Sequence, residues 1–282
     1  MRNTRLLAMT KKFVFDTLSM RQINNLRKIK WFFLTFIAND LSTIKRFYEE
    51  EIEIRILERL INRGDVVIDI GANIGCYSYH LAHFVFSTGR VISFEPRSNI
   101  HDRLKRQLKE FQHCTVEQLG VSNAETIGDL YLPTSHGRSS LVKHDDFVGF
   151  RSEKIQLVTL DQYIDKDGTR ALAFIKIDVE GHEYEVIHGA GRTLRTYHPL
   201  VLCESEDRHL EVQGKSVRMF LELMRGYNYN SYVVEEFKLV PAAGIKAKDN
   251  GKHFYNYWFI HQEDTELLVR FRNVLGALKM GQ

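Results

Sequence analysis

Residues 66–75 read VVIDIGANIG, an apolar, β-branched run that leads into a turn containing Gly71 and Gly75. A short run of this kind, bounded by turn residues, predicts a buried strand. Gly71 permits a tight turn, and Gly75 permits a close approach of the following helix to the sheet. The stretch therefore predicts a strand, a turn and a helix N-terminus whose backbone N–H groups are available to a ligand.

The same alternation continues along the chain. Further strands are predicted at residues 91–94, 116–119, 130–132, 155–160, 174–177, 200–203 and 257–260. Helices are predicted at residues 41–61, 74–86, 99–111 and 216–225, and from residue 183 onwards. Strands that alternate with such helices indicate an α/β fold with a mostly parallel sheet. Ligands of these sheets bind outside the carboxyl ends of the strands, so the residues that end each strand are the candidates for function.

The composition is that of an ordinary globular chain, with 282 residues, of which 44% are hydrophobic and 27% charged. It excludes collagen-like, disulfide-stapled and wholly disordered classes. No stretch of about 18 apolar residues occurs, which excludes an integral membrane bundle. The three cysteines form no C-x-x-C pair, which argues against a disulfide framework or a zinc knuckle. We therefore expect a reducing, cytoplasmic location and assign no metal ligand.

Charge is distributed unevenly along the chain. Residues 1–48 carry ten Lys and Arg against two Asp, a net charge of +8, whereas the rest of the chain has a net charge of −5. The run Trp31–Ala38 is too short to span a bilayer. Residues 1–40 could lie on an anionic membrane surface, pack on the main domain, or serve as a mitochondrial transit peptide. The acidic main body argues against a nucleic-acid partner.

Carboxylates follow several of the predicted strands. Glu95 lies 20 residues beyond Gly75, where an acid can accept hydrogen bonds from a ribose diol. The glycine spacing differs from G-x-G-x-x-G, because Asn73 stands where a dinucleotide site needs another glycine. This spacing counts against NAD.

The most acidic strand end is the stretch 178–183, DVEGHE. Burying three carboxylates just past a buried strand costs free energy unless they bind a ligand or pair with another group. Asp178 is the first candidate for chemistry and Glu180 the second, whereas Glu183 could simply favour the N-terminus of the next helix. His182 is either a base or a surface helix residue. Glu204, at the end of the following strand, is expected to face the same crevice.

Five segments, taken in order and spacing, resemble the FkbM family of S-adenosylmethionine-dependent methyltransferases. They are IDIGANIGCYS (68–78), FEP (94–96), GVSN (120–123), IKIDVEGHE (175–183) and PLVLCE (199–204). GRSSL (137–141) and NYWF (256–259) add to the resemblance, which covers roughly residues 50–262. It implies a Rossmann-like class I methyltransferase fold, with helices on both faces of a seven-stranded sheet whose last strand is antiparallel. We divide the chain into an N-terminal basic, helical extension (1–62), a methyltransferase domain (63–262) and a C-terminal helix (263–282).

The resemblance also implies residue roles and an activity. The residues implied to line the methionine part of S-adenosylmethionine are Asp69, Gly71, Ala72, Asn73 and Gly75. Glu95 would hold the ribose, Val121 and Ser122 would lie near the adenine, and Asp178 would face the methyl donor. The implied reaction is methylation of a hydroxyl on a sugar, glycan or glycolipid. Acceptor specificity is expected in loops 133–152 and 205–216.

Several alternatives stay open at this point. The base that takes the hydroxyl proton is Asp178 or Glu180, with His182 a weaker candidate. Asp178 and Glu204 could instead hold Mg²⁺ or Mn²⁺. The chain could also be a catalytically silent, membrane-recruited adaptor that binds the cofactor, or an NAD-dependent oxidoreductase.

Overall fold

The computed structural model describes residues 51–133, 139–143, 149–244 and 254–281. The predictions for residues 1–50, including the aromatic run 31–38 and the first part of helix 41–61, lie outside these residues, as do Gly137, Arg138 and His144. The described part of the predicted first helix is confirmed as α1 (Ile52–Leu60).

The remaining elements follow in chain order. The first half contains β1 (Val66–Ile70), α2 (Cys76–Val85), β2 (Arg90–Phe94), α3 (Ser98–Gln107), β3 (Cys114–Glu117), β4 (Gly120–Val121), β5 (Thr126–Pro133), β6 (Phe150–Val158) and α4 (Leu160–Asp167). The second half contains β7 (Phe174–Ile177), α5 (Glu183–His188), α6 (Gly191–Tyr197), β8 (Leu200–Glu206), α7 (Asp207–Leu210), α8 (Val217–Gly226), β9 (Tyr229–Glu235), β10 (Lys238–Pro241), β11 (Phe254–His261) and α9 (Thr265–Met280).

The main sheet has the strand order β10-β9-β11-β8-β7-β1-β2-β3. The five strands from β8 to β3 are parallel, and β11 lies antiparallel between β8 and β9. The predicted mostly parallel sheet with a late antiparallel strand is therefore confirmed. The sheet has eight strands rather than seven because β10 adds an edge strand antiparallel to β9. Neither β9 nor β10 is among the predicted strands.

Two layers of helices cover the main sheet, because successive residues of its strands point to opposite faces. In β1, Val67 packs with residues of α1, α2 and α9, whereas Ile68 and Ile70 pack with residues of α4, α5, α6 and α8. Both faces of the central strands are thus buried, which explains their continuous apolar sequences. Among the described helices, none is both long and apolar enough to cross a membrane.

A second, three-stranded sheet has the order β4-β6-β5. The short strands predicted at residues 130–132 and 155–160 coincide with the buried parts of β5 and β6, which pair antiparallel over eight residue pairs, except that β6 ends at Val158 and Leu160 begins α4. Both strands are longer than predicted because their outer ends are exposed and carry little hydrophobic signal. The bridge Tyr131–Ser140 brings the chain after β5 back against this sheet.

Candidate functional site

The turn between β1 and α2 is held against the neighbouring strand β2. Gly71 N and Ala72 N both donate to Phe94 O, at 3.0 and 2.9 Å. Asn73 and Gly75 have left-handed backbones, with φ of 50° and 90°, and Gly75 is the N-cap of α2. The four residues that sequence analysis placed around the methionine part of the cofactor, from Gly71 to Gly75, therefore form one compact turn at the carboxyl end of β1.

Gly71 also brings this turn against the end of β7. A Cβ at position 71 would lie 1.9 Å from Asp178 O, a distance no real side chain could keep. Asp178 N donates to Ile70 O at 3.0 Å, so the pairing of β1 with β7 continues to residue 178. Residues 178–183, which follow β7, are called the acidic loop below. The glycine is thus required by the close approach of two backbones, and Asp178 lies directly beside the cofactor turn.

Glu95, at the end of β2, is buried and connects two segments of the site. Its Oε2 accepts from Asn73 N and its Oε1 from Arg97 N, both at 2.9 Å. Burial raises the pKa of Glu95 to about 7, although the two backbone hydrogen bonds lower it. A carboxylate has roughly four lone-pair positions, so positions for a further donor such as a ribose hydroxyl remain.

Asp69 is buried near the end of β1 and is hydrogen-bonded to α2, the helix that follows the turn. Its residue is 2% exposed, and its Oδ2 accepts from Ser78 Oγ at 2.5 Å. Ser78 Oγ is also 2.8 Å from Ser93 Oγ, so a buried polar network connects β1, α2 and β2. Burial raises the pKa of Asp69 to about 6. The described contacts of Asp69 therefore support the turn.

Val121 and Ser122, placed by the resemblance near the adenine, are both buried at the end of β4. Ser122 Oγ is 2.9 Å from His182 Nε2, and His182 Nδ1 is 3.6 Å from Glu185 Oε2. Burial lowers the pKa of His182. His182 is thus hydrogen-bonded to Ser122, a contact that the sequence did not predict.

The loop after β7 is anchored at Glu180 by residues far away in sequence. Glu180 has a left-handed backbone, with φ of 52°, and its carbonyl accepts from Ser140 Oγ at 2.7 Å. Gln213 Nε2 donates to Gly181 O at 2.5 Å, and His209 Nδ1 lies 3.3 Å from Glu180 Oε2. Sequence analysis missed the individual roles of His209 and Gln213. Their position in the 205–216 loop, after the carboxyl end of β8, is the signal that could have found them.

Lys176 is a buried cation under the acidic loop. Its side chain is 2% exposed, and its Nζ lies 3.4 Å from Asp178 Oδ2 and 5.0 Å from the centre of the Tyr77 ring. Burial lowers the pKa of Lys176, but Asp178, Glu204 and Asp69 raise it, and the net pKa is above the usual value. The pKa of Glu204 is raised well above its usual range by burial and then by Asp178. The crevice therefore combines one ammonium group with several carboxyls.

Glu183 is a structural acid inside the acidic loop. It is 2% exposed, and its Oε1 accepts from Gly181 N at 2.9 Å, while its Oε2 has no hydrogen-bond partner among the residues that the structure describes. Burial raises its pKa to about 8. Glu183 therefore makes a defined hydrogen bond to the backbone of the acidic loop, in addition to any electrostatic effect on the helix N-terminus.

The model of the methyltransferase FkbM domain matches residues 69–231, more than half of the chain and all of the site described above. The chain belongs to the FkbM methyltransferase family. Like the family, it is an S-adenosylmethionine-dependent methyltransferase with a class I fold, and this membership favours methyl transfer over the oxidoreductase alternative.

Individual relatives of this FkbM family member are distant. The hexuronic acid methyltransferase AglP of Haloferax volcanii is 26% identical over 184 residues, which are 65% of this chain and 72% of AglP. A crystal structure of methyltransferase FkbM from Methylobacillus flagellatus is 17% identical, with a TM-score of 0.42. That alignment covers 70% of this chain and 44% of the Methylobacillus chain, so this chain spans less than half of that protein. The O-methyltransferase of Bacillus cereus in complex with SAH is 12% identical, with a TM-score of 0.44, covering 82% of this chain and 96% of that one.

The residues of the turn fit the cofactor of the family. Glu95 is held by two backbone donors with lone-pair positions left over, as a ribose-binding acid requires. Asp178, whose side chain is 38% exposed, and Glu180 bring carboxyl oxygens to the adjoining crevice, and such oxygens suit a positively charged sulfonium.

Proposed function

We propose that this FkbM family member transfers a methyl group from S-adenosylmethionine to a hydroxyl oxygen of a sugar, in a glycan or a glycolipid. The observation that carries the proposal is the contact between Gly71 and Asp178, which puts a partly exposed carboxylate beside the cofactor turn. The relative AglP, named for a hexuronic acid acceptor, supports a sugar as the acceptor class.

The cofactor is held by the β1–α2 turn (71–75) and by Glu95 in this proposal. When bound, S-adenosylmethionine supplies a methyl group on a positively charged sulfur, which needs no further activation by the protein. The protein must hold the acceptor oxygen in line with that methyl group and take its proton. Val121 and Ser122 form the adenine side, and His182 positions Ser122 through the hydrogen bond described above.

Asp178 is the base in this mechanism. Its side chain is 38% exposed, so an acceptor can reach it, and the Lys176 ammonium lies 3.4 Å from its Oδ2. Glu180, paired with His209, is the second candidate, because a proton taken by its carboxylate can be shared with the imidazole. His182 acts as a positioning residue because its ring is directed to Ser122 and Glu185.

The charge of the crevice favours a neutral acceptor oxygen. Burial raises the pKa of Glu204, and the negative charges of Asp178 and Glu180 raise it further. An anionic acceptor group beside them would be repelled, whereas a hydroxyl gains an acceptor for its proton. Lys176 provides a positive charge beside Asp178, so we propose that transfer proceeds without the Mg²⁺ or Mn²⁺ considered above, and activity should survive excess EDTA.

The decisive experiment compares glycans and lipids from cells with and without the gene by mass spectrometry. We expect one class of sugar to lose a methylene unit without the gene and to regain it with the wild-type gene. Asp178→Asn should fail to restore it, whereas the matched control Asp102→Asn, a substitution on exposed helix α3, should restore it. Glu180→Gln separates the two candidate bases. Restoration by Asp178→Asn with failure of Glu180→Gln would move the role of base to Glu180.

Residues 1–40 are proposed to hold the enzyme at an anionic membrane surface, where a lipid-linked acceptor is presented. The support is the net charge of +8 over residues 1–48, next to the aromatic run 31–36. Vesicle binding should weaken but persist at high salt, because buried aromatics add an apolar contribution that salt does not screen. Removal of residues 1–40 should abolish vesicle binding and preserve cofactor binding. Vesicle binding without any methylated product would instead favour the silent adaptor.

A further inference from the structure

A second cluster of potential ligands lies at the edge of the sheet opposite the cofactor turn. His198 precedes β8, and His261 ends the antiparallel strand β11, so both lie at the amino end of β8. Glu263 follows His261 by two residues. Glu204 and the acidic loop are at the carboxyl end of the same sheet, so this cluster takes no part in the site described above.

The three side chains converge closely. One ligand atom from each of His198, His261 and Glu263 can be chosen so that all lie within 4.8 Å of one another. The two imidazole rings are stacked, with centroids 3.5 Å apart and planes 6° apart. Zinc–nitrogen bonds are about 2.0–2.1 Å long, so two nitrogens on one tetrahedral ion lie roughly 3.4 Å apart. Ligand atoms within 4.8 Å of one another can therefore reach one ion after side-chain rotations.

One of the three ligands is fixed and two can adjust. His261 is 5% exposed, and the Tyr229 ring packs edge-on against it at 5.4 Å. Tyr229 OH donates to Pro199 O at 3.1 Å, which ties the His198 segment to the same strand. His198 is half-buried and Glu263 is exposed. Because a nitrogen lone pair lies in its ring plane, coordination requires the stacked rings to splay, and His198 has the freedom to turn.

We propose that His198, His261 and Glu263 form a site for a divalent transition metal ion of the Zn²⁺ class. Two imidazoles and a carboxylate suit Zn²⁺, Co²⁺ or Ni²⁺ better than Mg²⁺ or Ca²⁺, which prefer oxygen ligands alone. A neutral imidazole offers one nitrogen lone pair to an ion, and the backbone contact from Glu263 N to His261 Nδ1, at 3.4 Å, keeps the residue that carries the carboxylate beside the ring. Asp264, the N-cap of α9, adds a nearby negative charge.

A bound ion would join the α6–β8 connection to the β11–α9 connection. Such an ion binds the folded chain and not the unfolded one, so the melting temperature rises as the free ion concentration increases above the dissociation constant. The role is therefore structural, and methyl transfer does not depend on it.

The test uses the full-length chain without a purification tag and with Zn²⁺ as the probe in calorimetry. We expect one equivalent to bind and Co²⁺ to produce visible absorption bands at the same stoichiometry. His198→Asn and Glu263→Gln should each weaken Zn²⁺ binding at least about tenfold. Asn tolerates the left-handed backbone of residue 198, and Glu263 is exposed, so both variants should fold. His188→Asn, at an exposed position on α5, is the matched control and should bind like wild type.

Two results would overturn the proposal. One is a wild-type chain that binds no Zn²⁺. The other is a pair of variants, His198→Asn and Glu263→Gln, that bind Zn²⁺ as tightly as His188→Asn does. S-Adenosylmethionine binding, measured on the same samples, should be equal in all of them, which distinguishes loss of the metal site from general misfolding.

Discussion

Replacing the buried acid Glu183 should change how the stability of the protein depends on pH. The folded chain raises the pKa of this carboxyl from 4.5 to about 8, chiefly through burial. The folded state therefore holds the proton more tightly than the unfolded state. The stability that results is fully present below pH 4.5 and is lost as the pH rises through about 8. Each tenfold change in proton affinity is worth about 1.4 kcal/mol, so the loss has a ceiling of about 5 kcal/mol.

Glu183→Gln removes this ionisation and keeps the oxygen that accepts from Gly181 N. The amide NH2 that replaces Oε2 lacks a partner among the described residues, as Oε2 does now. Leaving it unpaired lowers the free energy of unfolding by about 1–3 kcal/mol at every pH. We expect the free energy of unfolding of the variant, relative to wild type, to rise by several kcal/mol between pH 5 and pH 9, within the ceiling above.

Urea unfolding of the cofactor-free protein at pH 5, 7 and 9 measures this difference. Asp69 and Glu95 also have raised pKa values, so wild type and variant should both lose stability as the pH rises, but the variant should lose less. Glu110→Gln, at an exposed position, is the control and should follow wild type at every pH. Parallel curves for wild type and Glu183→Gln would refute the argument that burial holds the proton on Glu183.

Three further substitutions test the cofactor turn and the acidic loop. Gly71→Ala should abolish S-adenosylmethionine binding in calorimetry and lower the melting temperature, because its Cβ would collide with Asp178 O and residue 71 has a φ of 78°; unchanged binding would show that the two backbones can separate. Glu95→Ala should weaken cofactor binding by ten- to a hundredfold, since hydrogen bonds to a charged group are worth about 1.5–3 kcal/mol each, and wild-type affinity would remove Glu95 from the site. Ser140→Ala removes the hydrogen bond from Ser140 Oγ to the Glu180 carbonyl. It should lower kcat and leave cofactor affinity unchanged. A change in cofactor affinity alone would show that Ser140 acts through the cofactor turn.

The central strands and their carboxyl ends were predictable from sequence because they are buried on both faces. Polar side chains interrupt the predicted runs of β1, β2 and β7 at Asp69, Ser93 and Lys176, and each of the three has a polar or charged partner. The alternation along β1 puts Asp69 on the same face as Val67, so its burial follows from a period of two. The role of Asp69 beside the cofactor, which the family resemblance implies, stays a prediction.

The contacts missed by sequence analysis join residues that no periodicity relates. Ser140 and Glu180 are 40 positions apart, and Ser140 is bridged to the second sheet, whose middle strand β6 is mostly exposed in its first half. His209 meets Glu180 only because α7 begins directly at the end of β8. Strand β9 was missed because its buried residues are interrupted by exposed polar ones. Long-range side-chain contacts of this kind require the fold itself.

The position of β11 between β8 and β9 has a consequence for synthesis on the ribosome. Within the described residues, β9 pairs only with β10 and β11, and the free side of β8 is covered by β11. A nascent chain that has emerged only as far as residue 250 can assemble the parallel strands, but it leaves β8 with an open edge and the β9–β10 hairpin without a sheet. Open edges recruit strands from other chains. Once residues 254–261 have emerged from the ribosome, they can pair with β8 and β9, and the risk of aggregation through these open edges ends.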